Sequence, residues 1–138
     1  MRSRIELQVD GLPPKKDGAT SMWGKASERD RLKALRRAAW EAPGRQNWDT
    51  GGEISLTLTV FAEDRAGDLD NFVTGVCDGL QPAGIMAAIS PDDWSDLPEE
   101  ARPDRVLLIA DDRTVSRIVA ERRPMGGGQE HYIVVLEQ

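Results

Sequence analysis

Gly67-Asp68-Leu69-Asp70-Asn71 sets two carboxylates and an amide within a few positions of one another. Hard oxygen donors of this kind suit magnesium, which keeps several of its waters and takes one or two carboxylates from a protein. Two carboxylates plus one more from elsewhere in the chain would make a plausible site. If a helix opens at this motif, its first N–H groups favour a phosphate beside the metal. The same residues have a plainer meaning as well, because aspartates ahead of a helix commonly cap it. Magnesium is the expected cofactor, with manganese as an alternative.

These acids need elements to hold them. Ile54, Leu56, Leu58 and Val60 alternate with Ser55, Thr57 and Thr59, which predicts a strand running toward Glu63, Asp64 and the motif. A helix is expected from about Leu69 to Leu80, burying Phe72, Val76 and Leu80. Gly75 and Gly79 either weaken it by about 1 kcal/mol each or allow close packing against the sheet. The apolar run Val106 to Ile109 suits a buried strand delivering Asp111-Asp112. Upstream, Ile5, Leu7 and Val9 predict a strand ending at Gly11 and Pro13-Pro14, followed by a loop from Lys15 to Gly24. Ser27 reads as the cap of a helix that buries Leu32, Leu35, Ala39 and Trp40 and stops at Pro43-Gly44. Its other face carries Arg29, Lys33, Arg36 and Arg37, a basic stripe for solvent or a partner. Ser90-Pro91-Asp92-Asp93 reads as the start of a short helix. Val115 to Arg122 and His131 to Glu137 are expected strands, joined through Pro124-Met125-Gly126-Gly127-Gly128 as a hairpin. The whole predicts one α+β domain over 1–138, with a mixed β-sheet, two main helices and a C-terminal β-hairpin. It carries an acidic, proline-containing insertion at about 81–105.

Composition narrows the class. The lone cysteine, Cys77, excludes an internal disulfide and fits a reducing compartment. MRSRIELQVD lacks the apolar centre of a signal peptide, and there is no run of about 18 apolar residues, so a cytoplasmic protein that spans no membrane is expected. The net charge of -6 conceals an asymmetry: residues 1–45 carry +5 and residues 46–138 carry -11. The basic part suits phosphates, and the acidic part suits cations or solubility. His131 reads as structural or solvent-facing, and Cys77 as a small core residue. The four tryptophans read as core or interface anchors, with base stacking as the alternative. Arg113, Arg117, Arg122 and Arg123 suit either phosphates or a solvated strand face.

GDLDNFVTGVCDGL at 67–80, followed by IADDRTV at 109–115, resembles the signature of the RusA family of Holliday-junction resolvases. Asp68, Asp70, Asn71, Asp78, Asp111, Asp112 and Val115 match it in order. The resemblance implies that Asp68, Asp70 and Asp112 are the metal-binding catalytic acids, supported by Asn71, Asp78 and Asp111. It extends to the opening strand with Gly11-Leu12-Pro13-Pro14-Lys15-Lys16 and to a closing glycine-split hairpin. It implies a symmetric homodimer making paired cuts in branched DNA during recombination and repair. Two departures stand out. The family's helix lysine is replaced by Thr74, which carries no charge to a scissile phosphate, leaving Lys15, Lys16 and Lys25 as candidate cations, with Arg113 as a further DNA contact. The stretch between the helix and Asp111 is also longer than in compact members, and acidic. Three readings follow: a structure-selective endodeoxyribonuclease, a catalytically weakened DNA- or partner-binding protein, and an interaction module whose acids are only caps. The first two divide on whether a lysine or arginine reaches the acids in space.

Overall fold

The computed structural model describes residues 3–16, 21–63, 66–84, 87 and 89–138. Parts of the expected 15–24 loop and of the acidic segment, together with Met1, Arg2 and Asp64, lie outside the described residues. Strands β1 (Arg4–Asp10), β2 (Ile54–Phe61), β3 (Val115–Arg123) and β4 (His131–Glu137) form one sheet in the order β1-β4-β2-β3. β4 runs antiparallel to both neighbours, and β2 is parallel to β3, so the sheet is mixed. Helices α1 (Ala26–Glu41) and α2 (Leu69–Gly79) complete a single α+β domain. Strict alternation builds the sheet's buried face, where Ile5, Leu7 and Val9 lie beside Tyr132, Val134, Leu136 and the β2 residues Ile54, Leu56, Leu58 and Val60. Among the described residues no helix is long and apolar enough to cross a membrane.

The expected C-terminal hairpin is not there. β3 and β4 are separated by β2, and the glycine-rich connection passes the end of that strand. Tyr132, Val134 and Leu136 are fully buried and take the sheet's interior, whereas Ile118 and Val119 are 48% and 42% exposed at its edge. Val106–Ile109 also departs from expectation. Leu107, Leu108 and Ile109 are buried, but the segment is irregular and outside the sheet. Loop groups meet its backbone one at a time: Ile109 N–H donates to Leu80 O (3.4 Å), Ala110 N–H to Thr50 O (3.1 Å), and Leu108 O accepts from Trp48 Nε1 (2.8 Å). With those partners supplied, burial needs no strand. Helix α1 begins at Ala26 without a side-chain cap, and Ser27 is exposed.

The basic stripe of α1 faces solvent only in part: Arg37 is exposed, while the rest meets other parts of the chain. Arg36 is fully buried, and its five N–H donors all meet carbonyls. Nε reaches Ala101 O (2.7 Å), Nη1 reaches Gly79 O (2.8 Å) and Gln81 O (3.0 Å), and Nη2 reaches Arg102 O (2.7 Å) and Arg105 O (2.6 Å). Burial lowers its pKa to about 10, partly opposed by Asp104, so the buried group is a cation at neutral pH. Beside it Arg29 pairs with Asp93 (3.2 Å) and Lys33 with Asp96 (2.9 Å). The acidic segment is thus laid along the basic stripe. Such part-exposed pairs contribute little by themselves. Burial of Trp94, Leu97 and Ala101, with Trp94 tilted against Trp23 at 5.6 Å, holds the segment down.

Candidate active site on the second helix

Helix α2 starts where the motif predicts. Asp68 is its N-cap residue in extended conformation, yet the carboxylate makes no cap hydrogen bond. Asp70 lies exposed in the first turn, and among the described residues neither carboxylate has an ion-pair partner. The turn before them depends on Gly67, whose φ of +144° disfavours a side chain. A Cβ there would stand 3.0 Å from the Phe72 ring and 3.4 Å from Lys15 Cδ, and the Gly67 carbonyl accepts from Arg122 Nη2. The stem of Lys15 therefore lies against the residue that precedes Asp68.

The prolines and lysines after β1 are held along α2 by specific contacts. Lys15 N–H donates to Glu28 Oε1 at 2.7 Å, and Lys16 N–H donates to Asn71 O at 3.2 Å. Lys16 Nζ then pairs with Asp78 Oδ2 at 3.1 Å. Gly75 and Gly79 do allow close packing, but against this segment and α1 and not against the sheet. A Cβ at Gly75 would run into the carbonyl of Pro14, and one at Gly79 would lie 2.8 Å from Leu35 Cδ2. Thr74 is exposed, and its hydroxyl donates back to Asp70 O (3.1 Å). Asp70, Thr74 and Asp78 follow at four-residue spacing and share one helix face.

Asp111 and Asp112 have separate surroundings. Asp111 caps the short turn Asp112–Thr114 by accepting from Arg113 N–H (2.9 Å), and it takes the Arg113 guanidinium at Nε (3.1 Å) and Nη2 (2.8 Å). Asp112 N–H donates to Gln81 Oε1 (3.1 Å), and Gln81 Nε2 donates to Cys77 O (3.0 Å). The Cys77 thiol is pushed up to about 11 by burial and then by Asp78 and Asp112, so it is no thiolate nucleophile at neutral pH. Asp112 accordingly meets α2 at its C-terminal end, while Asp68 and Asp70 lie at its start. Asp70 and Asp78 alone are separated by about 12 Å of helical rise.

Among the described residues no three His, Cys, Asp or Glu side chains gather closely enough to hold a metal ion. The structure places Asp68 and Asp70 at the start of α2 and Asp112 at its C-terminal end. Two exposed carboxylates fit a cation that retains most of its water; Asp112 does not close the set in this arrangement. Lys25 is the N-cap residue of α1, and Arg113 is engaged with Asp111. His131 stacks on Phe61 at 4.4 Å, with Nδ1 2.9 Å from Gln129 O, on the sheet face opposite the core. Glu28 and Gln81 organise the site without having been visible in the sequence, since their partners are loop groups beyond any helical or strand spacing. No known family model matches the chain, and no curated protein matches it in sequence.

The Arg113 guanidinium and backbone N–H hold the Asp111 carboxyl down to about 2. A carboxyl lowered on folding stabilises the native state above its ordinary pKa, and that contribution is lost as pH falls through the native value. In a carbon NMR titration Asp111 is expected to remain ionised at about pH 3, and Arg113→Ala should move its midpoint up toward about 3.9. An unmoved midpoint would contradict the assignment.

Proposed function

We propose that the chain is a magnesium-dependent, structure-selective endodeoxyribonuclease of the RusA type, acting on branched DNA in the cytoplasm, with Asp68 and Asp70 as its cation-binding acids. The observation that carries this reading is the stem of Lys15 against Gly67, immediately before Asp68. That side chain, running past the residue before Asp68, is the candidate for the positive charge that Thr74 lacks. When bound, the cation would polarise the scissile phosphate and lower the pKa of a water. The uncapped start of α2 leaves N–H groups for a phosphate oxygen, and Lys15 would stabilise charge on the leaving oxygen. Lys16, pinned to Asp78, holds the lysine segment in register. Asp112 lies at the other end of α2, outside this pair, and a part for it as third acid is tested by its own substitution. The separation of Asp112 from the pair favours a second reading, a protein that holds branched DNA without cutting it.

A labelled four-way junction with Mg²⁺ separates the two. Cleavage that Asp70→Asn abolishes, and that Lys15→Ala cuts by about a hundredfold, supports the nuclease. An equal loss in Asp112→Asn would place that acid in the chemistry. Gel-shift binding without cleavage supports the second reading, and a protein that neither binds nor cuts the junction refutes both.

A further inference from the structure

The two edges of the sheet are finished differently. β1 exposes Arg4, Glu6, Gln8 and Asp10 and buries Ile5, Leu7 and Val9. β3, nine residues long at the other end of the strand order, has no outer strand neighbour among the described residues and leaves Ile118 48% and Val119 42% exposed. Register with β2 puts these two on opposite faces, Val119 beside Thr57 and Ile118 beside Leu56. A strand added at this edge would cover both at once, which a ligand lying on one face of the sheet would not. A long edge with exposed apolar side chains is a template for another strand.

The backbone fixes which residues would pair. Ala62 N–H donates to Arg123 O (3.1 Å), so Arg123 turns its N–H and C=O toward β2. In a strand both groups of one residue point the same way, and the direction alternates along the chain. Pairing with β2 is regular from Arg117 to Arg123, so Arg117, Val119 and Glu121 also turn inward, while Ile118, Ala120 and Arg122 turn their N–H and C=O groups to the open side. A nucleic-acid backbone could accept from those N–H groups but has no donor for the carbonyls. An extended peptide supplies both.

The side chains specify that peptide. β3 carries three arginines against one glutamate. Among the described residues Arg117 has no ion pair, and Arg123 has an exposed one to Glu121 on its own strand (2.8 Å). Opposite charges and β-branched pairs directly across a sheet are favourable, and like charges are not. A partner running antiparallel to β3 therefore places an acid across from Arg123 and neutral polar residues across from Arg122 and Glu121. β-branched residues follow across from Ala120, Val119 and Ile118, and a second acid across from Arg117.

We propose that β3 is the docking edge for an extended acidic segment of another protein, added antiparallel as a fifth strand of the sheet. Main-chain bonds to Ile118, Ala120 and Arg122 hold it, and the guanidiniums of Arg117 and Arg123 select its charge. Docking here requires neither metal nor cleavage, so it stands apart from the nuclease reading.

A dye-labelled peptide, Glu-Thr-Thr-Val-Val-Ile-Glu, titrated with the full chain without DNA or Mg²⁺, tests it. Fluorescence anisotropy is expected to show saturable binding with a Kd of about 10–100 μM. Amide exchange should slow at Ile118, Ala120 and Arg122 and stay unchanged at Val119 and Glu121, which already face β2. Ala120→Pro removes one outward N–H at an edge position where proline is tolerated, and should weaken binding by about tenfold or more while keeping a native circular dichroism spectrum. Arg117→Glu should weaken binding by about threefold or more, and a peptide with lysine in place of its last glutamate should bind this variant better than it binds the original chain. If Ala120→Pro does not fold, the charge exchange and the pattern of slowed amides decide. No saturable binding up to about 1 mM overturns the proposal, as does binding that Arg117→Glu and Ala120→Pro both leave unchanged. It is equally overturned if sedimentation shows a second copy of the chain covering β3 and excluding the peptide, or if a short DNA duplex slows the same amides and the peptide does not.

Discussion

An Arg36→Met variant is expected to lose at least about 3 kcal/mol of stability, read as a lower urea midpoint. The methionine would fill much of the space but leave five carbonyls without their donor: Gly79, Gln81, Ala101, Arg102 and Arg105. A buried acceptor left unmet costs about 1–3 kcal/mol. Some of these contacts are only part-buried and can recover water, so the stated figure is a floor and not a sum. The loss should also be local. Those carbonyls belong to the end of α2 and to the acidic segment, so proteolysis within 99–105 should accelerate more than cleavage near β2. Arg36→Lys should recover only part of the stability, because an ammonium has three donors for five acceptors. A loss below about 1 kcal/mol in Arg36→Met would mean that water already serves these groups.

Gly75→Ala is expected to destabilise the protein by about 2 kcal/mol and to move both lysines of the 13–16 segment. In an isolated helix the same change would stabilise by about 1 kcal/mol, since glycine is a poor helix former. The clash reverses that sign, because the added methyl meets the Pro14 carbonyl, a backbone atom that cannot swing aside. As the segment shifts, the Lys16–Asp78 pair and the Lys15 stem against Gly67 are lost together, so DNA binding should fall along with the melting temperature. Thr74→Ala, one residue earlier and exposed, should stay within about 0.5 kcal/mol. A more stable Gly75→Ala protein would show that the segment is not seated on the helix as described.

Elements with a clean period were legible in the sequence. The alternation in β1, β2 and β4 and the helical spacing of Phe72 and Val76 placed each of these elements to within a residue or two. Neighbour relations were not. The glycine run at 126–128 marks a turn but says nothing of which strand receives the chain next. Arg36 and Arg37 are adjacent residues of one type, yet one is fully buried and the other exposed. What decides between them is a set of carbonyls supplied from 43 to 69 residues away. The same holds for the site. Asp68 and Asp70 could be placed at a helix start, but the position of Asp112 depends on the irregular 106–110 segment, which has no period to read.

The central place of β4 bears on how the protein is made. Among the described residues β1 has one sheet partner, His131–Glu137, which is synthesised after β2 and β3. Until β4 has been made the nascent sheet has at most the β2–β3 pair, and β1 waits unpaired. Joining residue 4 to residue 137 also closes a long loop, which slows that step. A chain interrupted before β4 would therefore carry a sheet split in two, a direct substrate for chaperones and proteases.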